Sequence, residues 1–474
     1  MDRLSPQDAA FLHVENDVNH MHIGSVAVFE GPVPAYAEIE AMVAGKLPLA
    51  GRYRQRVRQV PLQLGRPVWV DDPHFRLGYH LRHSALPRPG GRAQLRNLVG
   101  RVMSQQLDRT KPLWELWLVE GLEDGHWALS TKAHHCMVDG IAGTDLLTVL
   151  LDDTPEPSTP VPDTWRPPQE PSGLRLAGDA LIDYLASPYE QWRAAKLAAA
   201  APLRLGRVLA DTARGLATVP GLAHAAPPSS LAGPIGPHRR WSWARASLEE
   251  VRAVRLGLGG TVNDVVLAVV TRGFRDLILA HAESPAATPI RSLVPVSVRR
   301  AGERGSYNNR VSAVLAELPV GVDDPVERLA AVREQMDGLK ESRQAVAAET
   351  LTALSGFAPS LLLALGTRVA TRALGRFGQG TVNTVVTNVP GPQHPLYALG
   401  RRLVEACPYV PLASPMRVGV AVFSYDGRLT FGVTSDYDTV PDVEVLCRGI
   451  EAGMAELLKA AGGGATPRRG RPGR

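Results

Sequence analysis

The stretch Trp127-Ala-Leu-Ser-Thr-Lys-Ala133, continued by His134-His135-Cys136-Met137-Val138-Asp139-Gly140, decides how this chain is read. Its first part has the composition of a strand. The residues that follow, Ile141-Ala-Gly-Thr-Asp-Leu-Leu-Thr-Val-Leu-Leu151, space their apolar side chains as a helix does. The motif between them therefore sits where a strand end turns into a helix, a junction that holds side chains rigidly while opening them to a cleft. Histidine titrates close to neutral pH and can take and return a proton during turnover. Asp139 and Gly140 suit the tight turn and helix start. Other readings compete at this level. A zinc or iron site could use His134, His135 and Asp139, although neighbours on a strand point to opposite faces. The histidines could be structural, satisfied by hydrogen bonds. Cys136 could be a nucleophile, but nothing in the sequence marks its thiol as acidic.

Working outward, 474 residues exceed one ordinary core and imply two domains. Hydrophobic residues at 45% and charged residues at 21% are those of a globular protein. Of the formal charge of +5, four units belong to Arg468, Arg469, Arg471 and Arg474, leaving +1 for the body. That distribution gives no basic face for nucleic acid. Three separated cysteines, Cys136, Cys407 and Cys447, give neither a disulfide framework nor zinc spacing. The first residues lack the basic and apolar regions of a signal peptide, so a reducing cytoplasm is expected. The uncharged run Thr350–Thr367 contains Gly356 and Pro359 and is rejected as a membrane span.

In chain order, Ser5 and Pro6 mark a helix start, Met21–Phe29 reads as a strand and Tyr36–Gly45 as a helix. Strands are expected over Val57–Leu64 and Val68–Val70, then a helix over Gly90–Leu107. Asp124-Gly125 predicts a hairpin that joins Glu115–Leu122 to the strand ending at His134. Residues 152–172 read as a loop, Leu174–Ala217 as mostly helix, and Val219–Pro237 as a linker. Beyond it come a strand at Arg240–Ala244, a helix with Ser247 and Glu250 as a capping box, and a long helix from Gly260 capped by Thr261 or Asn263. Strands at Ser292–Val298, Arg310–Leu318 and Thr381–Val389, the hairpin around Asp426-Gly427, and helices at Pro325–Ser342 and Val443–Ala461 complete it. Helices and hairpins in both halves argue for two α/β layered domains, with units at 1–173 and 238–461, a linker at 174–237 and a disordered basic tail at 462–474. The phosphate-loop, dinucleotide and serine-hydrolase motifs are missing.

Segments on both sides of the motif then carry a resemblance. Leu4-Ser-Pro-x-Asp8 with Phe11, Met21-His-Ile-Gly24, Pro112-Leu-Trp114 and His134-His-x-x-x-Asp-Gly140 occur in order. They are followed by Asn263-Asp264, Val294-Pro-Val-Ser-Val-Arg299, Asn388-Val-Pro-Gly-Pro392 and Ser424-Tyr-Asp-Gly427. The chain resembles the bacterial wax ester synthase/diacylglycerol acyltransferases, departing at Asn308-Asn309 where that family usually has Gly-Asn. The resemblance implies a mixed α/β fold of two chloramphenicol-acetyltransferase-like domains with a tunnel at their interface. It implies acyl-CoA and diacylglycerol or a long-chain alcohol as substrates, with no cofactor and no metal. His135 would be the general base and Asp139 the support of its loop, with His134 given no task. Asn263 is a candidate polar contact to substrate, with a helix cap as its other reading, and Trp114 a candidate tunnel wall or core residue. Arg299, Arg300 and Lys340 are all candidates for the CoA phosphates. Association with a membrane or lipid droplet is expected because the substrates dissolve there. A condensation enzyme of the same fold and a silent lipid-surface protein are the alternatives.

Overall fold

A computed structural model describes residues 2–137, 146–186, 229–297, 311–341 and 382–463. Helix α1 (Pro6–Val14) begins where Ser5 and Pro6 predict, with Ser5 Oγ accepting the Asp8 N–H at 3.1 Å. Strand β1 (His22–Phe29), helix α2 (Tyr36–Lys46) and the small antiparallel pair β2 (Gln55–Arg58) and β3 (Val68–Asp71) follow. The expected strand over Val57–Leu64 stops at Arg58. Pro61 offers no N–H, and Leu62 and Gln63 take φ of 55° and 54°, which no strand tolerates. Helix α3 (Leu77–His80) and strand β4 (Leu81–Ala85) occupy a stretch with no element expected. Its alternation of apolar and polar residues is too short to stand out. Helix α4 (Arg92–Met103) leads into the hairpin β5 (Trp114–Glu120) and β6 (Trp127–His134), then α5 (Leu146–Leu150) and α6 (Gly173–Ala186).

The second half runs β7 (Arg239–Ser247), α7 (Leu248–Leu258), α8 (Val262–Ala280), β8 (Ile290–Ser297), β9 (Val311–Leu318) and α9 (Pro325–Glu341). It ends with β10 (Thr384–Pro390), β11 (Tyr397–Ala398), β12 (Arg401–Tyr409), the hairpin β13 (Val418–Tyr425) and β14 (Arg428–Asp436), and α10 (Val443–Gly463). Readings that fall on 138–145, 187–228, 298–310, 342–381 and 464–474 lie outside the described residues. Among them are Asp139, Arg299, Arg300, the Asn308-Asn309 departure, most of the 174–217 helix, the 350–367 run and the tail.

Among the described residues the strands form two six-stranded sheets, ordered β11-β12-β1-β6-β5-β4 and β7-β14-β13-β10-β8-β9. The motif strand β6 lies inside the first sheet, antiparallel to both β1 and β5. All eight of its residues are buried, which is what a strand covered on both faces requires. A division at 238 puts 397–409 with the second half, whereas β12 pairs antiparallel with β1, Ala27 opposite Ala406. The chain thus returns two strands, β11 and β12, from its C-terminal half to complete the first sheet.

Helix α4, from the first half, packs on β7 of the second. Leu95, Val99, Val102 and Met103 share one core with Trp241, Trp243, Cys407 and Tyr409. The approach is close: a Cβ on Gly100 would lie 2.8 Å from Arg239 O, and one on Gly432 only 1.8 Å from Pro408 O. Arg245 adds a bidentate bridge to Glu405, at 2.5 and 2.6 Å. The halves are therefore joined by packed side chains along α4, β7 and β12.

Candidate active site

β6 ends at His134, and the chain bends at once into a short 3-10 turn, His135–Met137. The bend gives the two histidines different surroundings. His134 is fully buried, its main-chain N–H donating to Leu113 O at 2.9 Å and its ring Nδ1 accepting the Cys136 N–H at 3.1 Å. Burial, assisted by the Arg109 cation and by His135, pushes its pKa down to about 3. His135 is half-buried, and its N–H donates to Met21 O at 2.8 Å. Its ring stacks on Phe11, centroids 4.1 Å apart and planes 25° apart. Burial lowers its pKa below 6.5, so the imidazole is neutral at pH 7 and can accept a proton. Among the described residues His135 Nδ1 has no hydrogen-bond partner.

Cys136 is no nucleophile in this setting. Its thiol is buried, and burial with the nearby Asp8 and Glu15 charges pushes its pKa well above 9.0. Trp114, a candidate substrate contact, is core: it is 1% exposed, stacks on His80 at 4.6 Å and donates its Nε1–H to Tyr53 O at 2.7 Å. The cap of α8 is Thr261, whose Oγ accepts the Asp264 N–H at 3.2 Å while Asp264 Oδ2 accepts the Thr261 N–H at 2.7 Å. Asn263 is thus not the cap. It lies half-buried in the first turn, where its side chain has no capping duty. Lys340 lies within α9.

Sequence reasoning missed a group of polar side chains behind the motif. His22 stands directly across from His134 on the neighbouring strand. Glu15, just after α1, has its carboxylate almost sealed, with Oε1 3.5 Å from His22 Nε2 and Oε2 3.6 Å from His134 Nε2. Arg109 closes on the same carboxylate, its Nε at 2.8 Å and its Nη2 also bonded, while Nη2 donates to Leu12 O at 3.0 Å. One signal was available: an acidic residue at a helix C-terminus opposes the helix dipole and implies another partner. Lys132, two residues before His134, buries its amino group on the end of α4, donating to Val102 O at 2.9 Å and Gln105 O at 2.5 Å. Burial brings its pKa down to about 8.

Two six-stranded sheets, the first completed by two strands from the C-terminal half, make an architecture shared with solved structures of low identity. A trichothecene 15-O-acetyltransferase from Fusarium sporotrichioides shares it at a TM-score of 0.58, with 14% identity over 97% of this chain and 94% of that one. The starter condensation domain of rhizomide synthetase shares it at 0.54, with 16% identity over 97% and 95%. These establish architecture only. The wax ester synthase/diacylglycerol acyltransferase from Marinobacter aquaeolei VT8 matches at 0.70, with 28% identity over 98% of this chain and 100% of that one. The wax ester synthase/diacylglycerol acyltransferase catalytic domain matches residues 4–266, and the C-terminal domain of the same family matches 307–458. The chain belongs to that family and is an acyltransferase. A probable diacylglycerol O-acyltransferase of Mycobacterium tuberculosis is 38% identical over 97% of this chain and 96% of its own length.

Proposed function

We propose that this acyltransferase moves a long-chain acyl group from acyl-CoA to the free hydroxyl of diacylglycerol, giving triacylglycerol and CoA. Long-chain alcohols would serve as second acceptors, giving wax esters. The observation that carries the reading is the relation at 38% identity, over nearly the whole chain, to a protein named a diacylglycerol O-acyltransferase. The neutral, half-open ring of His135 supplies the chemistry. His135 takes the hydroxyl proton as the oxygen attacks the thioester carbonyl. The tetrahedral oxyanion then collapses, the C–S bond breaks, and His135 returns the proton to the CoA thiolate. Asp139 supports the loop beyond the turn, and Asn263 reaches the substrate from the second half. The substrates meet at the interface of the halves, entering from opposite sides, and the reaction as written needs no cofactor or metal. The purified protein given palmitoyl-CoA with diacylglycerol or with hexadecanol should form both esters, the first faster. His135→Ala should lower turnover on the order of a hundred- to ten-thousandfold. Lipid binding without ester formation would instead support a silent lipid-surface protein.

We further propose peripheral association of a cytoplasmic protein with a membrane or lipid-droplet surface, where both acceptors dissolve. Support comes from one surface region. Helix α6 packs on the turn Pro61–Gln63, a Cβ on Gly65 lying 3.1 Å from Ala180 Cβ. Around that junction Leu62 (86%), Leu174 (88%), Ile182 (61%), Leu181 (54%) and Leu64 (53%) are exposed. Leu62 is held outward by a left-handed backbone, and the neighbouring Arg175 is exposed to meet anionic headgroups. Leu62→Glu combined with Leu181→Glu should reduce co-sedimentation with anionic phosphatidylcholine/phosphatidylglycerol vesicles. Unchanged binding would place the contact elsewhere.

A further inference from the structure

The region behind the motif has an arrangement that the general-base reading does not use. Helix α1 delivers two side chains to the two histidines. Phe11 forms the platform under the His135 ring, and Glu15, one turn later, reaches the His134 ring. The two positions are locked together, since the Glu15 N–H donates to Phe11 O at 3.1 Å.

The contacts beyond Glu15 form a directional chain. Arg109 holds the Glu15 carboxylate through Nε and Nη2, and its tie to Leu12 O fixes the guanidinium on the same helix. His134 Nδ1 accepts the Cys136 N–H, so the proton of the neutral ring must be on Nε2. Nε2 is the atom that faces Glu15, 3.6 Å from Oε2, and it has no hydrogen-bond partner among the described residues. A buried N–H in that position gains from a fixed anion beside it, and the other tautomer would set two acceptors against each other. The Cys136 amide belongs to the 3-10 turn that carries His135. His22 Nε2 lies on the far side of the carboxylate, 3.5 Å from Oε1, but it accepts the Leu107 N–H at 3.4 Å and so gives the carboxylate no proton, which leaves Arg109 as the anchor of the anion.

We propose that Glu15 is a positioning residue: anchored by Arg109, it selects the Nε2–H tautomer of His134, which pins the Cys136 amide and so aims the turn bearing His135. The inference rests on the reading of His135 as the base. It assigns His134 the task that the motif alone left open, that of a fixed hydrogen-bond acceptor in the path from α1 to the reacting group. A charged side chain at the end of α1 thereby becomes part of the catalytic support, although it touches no substrate.

The test is ester formation from palmitoyl-CoA and diacylglycerol by the full chain carrying Glu15→Gln, His134→Asn, both, or His135→Ala. Asn at 134 can still accept the Cys136 N–H through its side-chain oxygen but no longer reaches Glu15. Glu15→Gln should lower kcat on the order of ten- to a hundredfold, with KM for acyl-CoA little changed, because misaiming a base affects the chemical step. In the His134→Asn background the same substitution should have little further effect, since the path it acts through is gone. Additive losses in the double variant, or full kcat in Glu15→Gln, would overturn the proposal while leaving the base reading intact if His135→Ala is inactive. An active His135→Ala would remove the base reading, and the positioning role with it. Should Glu15→Gln not fold, Glu15→Asp, which keeps the charge but withdraws it, is measured against His134→Asn in the same cycle, with the same two outcomes.

Discussion

Two adjacent histidines differ by almost everything except their side chain. His134 closes a fully buried strand and stays neutral far below ordinary pH, whereas His135 is half-open and has its pKa lowered by burial. The depressed pKa of His135 has a consequence for rate. A base whose pKa lies below 6.5 keeps its lone pair as pH falls through neutrality, so activity declines only on the acid side of that value. A kcat–pH profile should therefore show an acid limb with its midpoint below pH 6.5. A midpoint above it would mean the titrating group is not a buried imidazole. For Trp114 the sequence left tunnel wall and core open, and the structure puts its indole in the core, bonded to Tyr53 O and stacked on His80.

At the scale of elements, most local signals act where the sequence puts them. Ser5 caps α1, Ser247 and Glu250 form the capping box of α7, and the Asp-Gly turns at 124 and 426 close their hairpins. Where two caps competed, the structure chose Thr261 over Asn263. Thr261→Ala should therefore cost about 1 kcal/mol of stability, and Asn263→Ala about half that or less. Urea unfolding of the two variants checks the assignment, and the reverse order would restore Asn263 as the cap. Elements that were missed are α3, β4, β11 and β12; the first three are short, and β12 pairs with β1, far away in sequence. No local rule marks such strands, because what stabilises them is a neighbour's hydrogen bonds.

For the molecule as a whole, the exchanged strand β12 and the shared core of α4 with Trp241 and Trp243 make the two halves thermodynamically one body. Trp241 is 2% exposed and donates its Nε1–H to Pro408 O at 3.0 Å, so it touches β12 as well as α4. Trp241→Ala should destabilise the protein by about 3–5 kcal/mol and lower one cooperative transition rather than splitting it. Calorimetry that resolved two separate transitions in the wild type would contradict a shared core.

The sequence by itself determined the chemistry-bearing motif, the run of helices and strands around it, and the family. These are carried by residue types, periodicities and ordered short segments, all of which are local. Only the tertiary structure decided which histidine opens outward, that Trp114 is core, that Asn263 is not a cap, and that 397–409 belongs to the first sheet. It alone brought Glu15 and Arg109 to the back of His134, across 119 and 25 residues of chain. The physical reason is the same in each case. Burial, tautomer and ion pairing depend on what packs against a side chain, and those neighbours are distant in sequence.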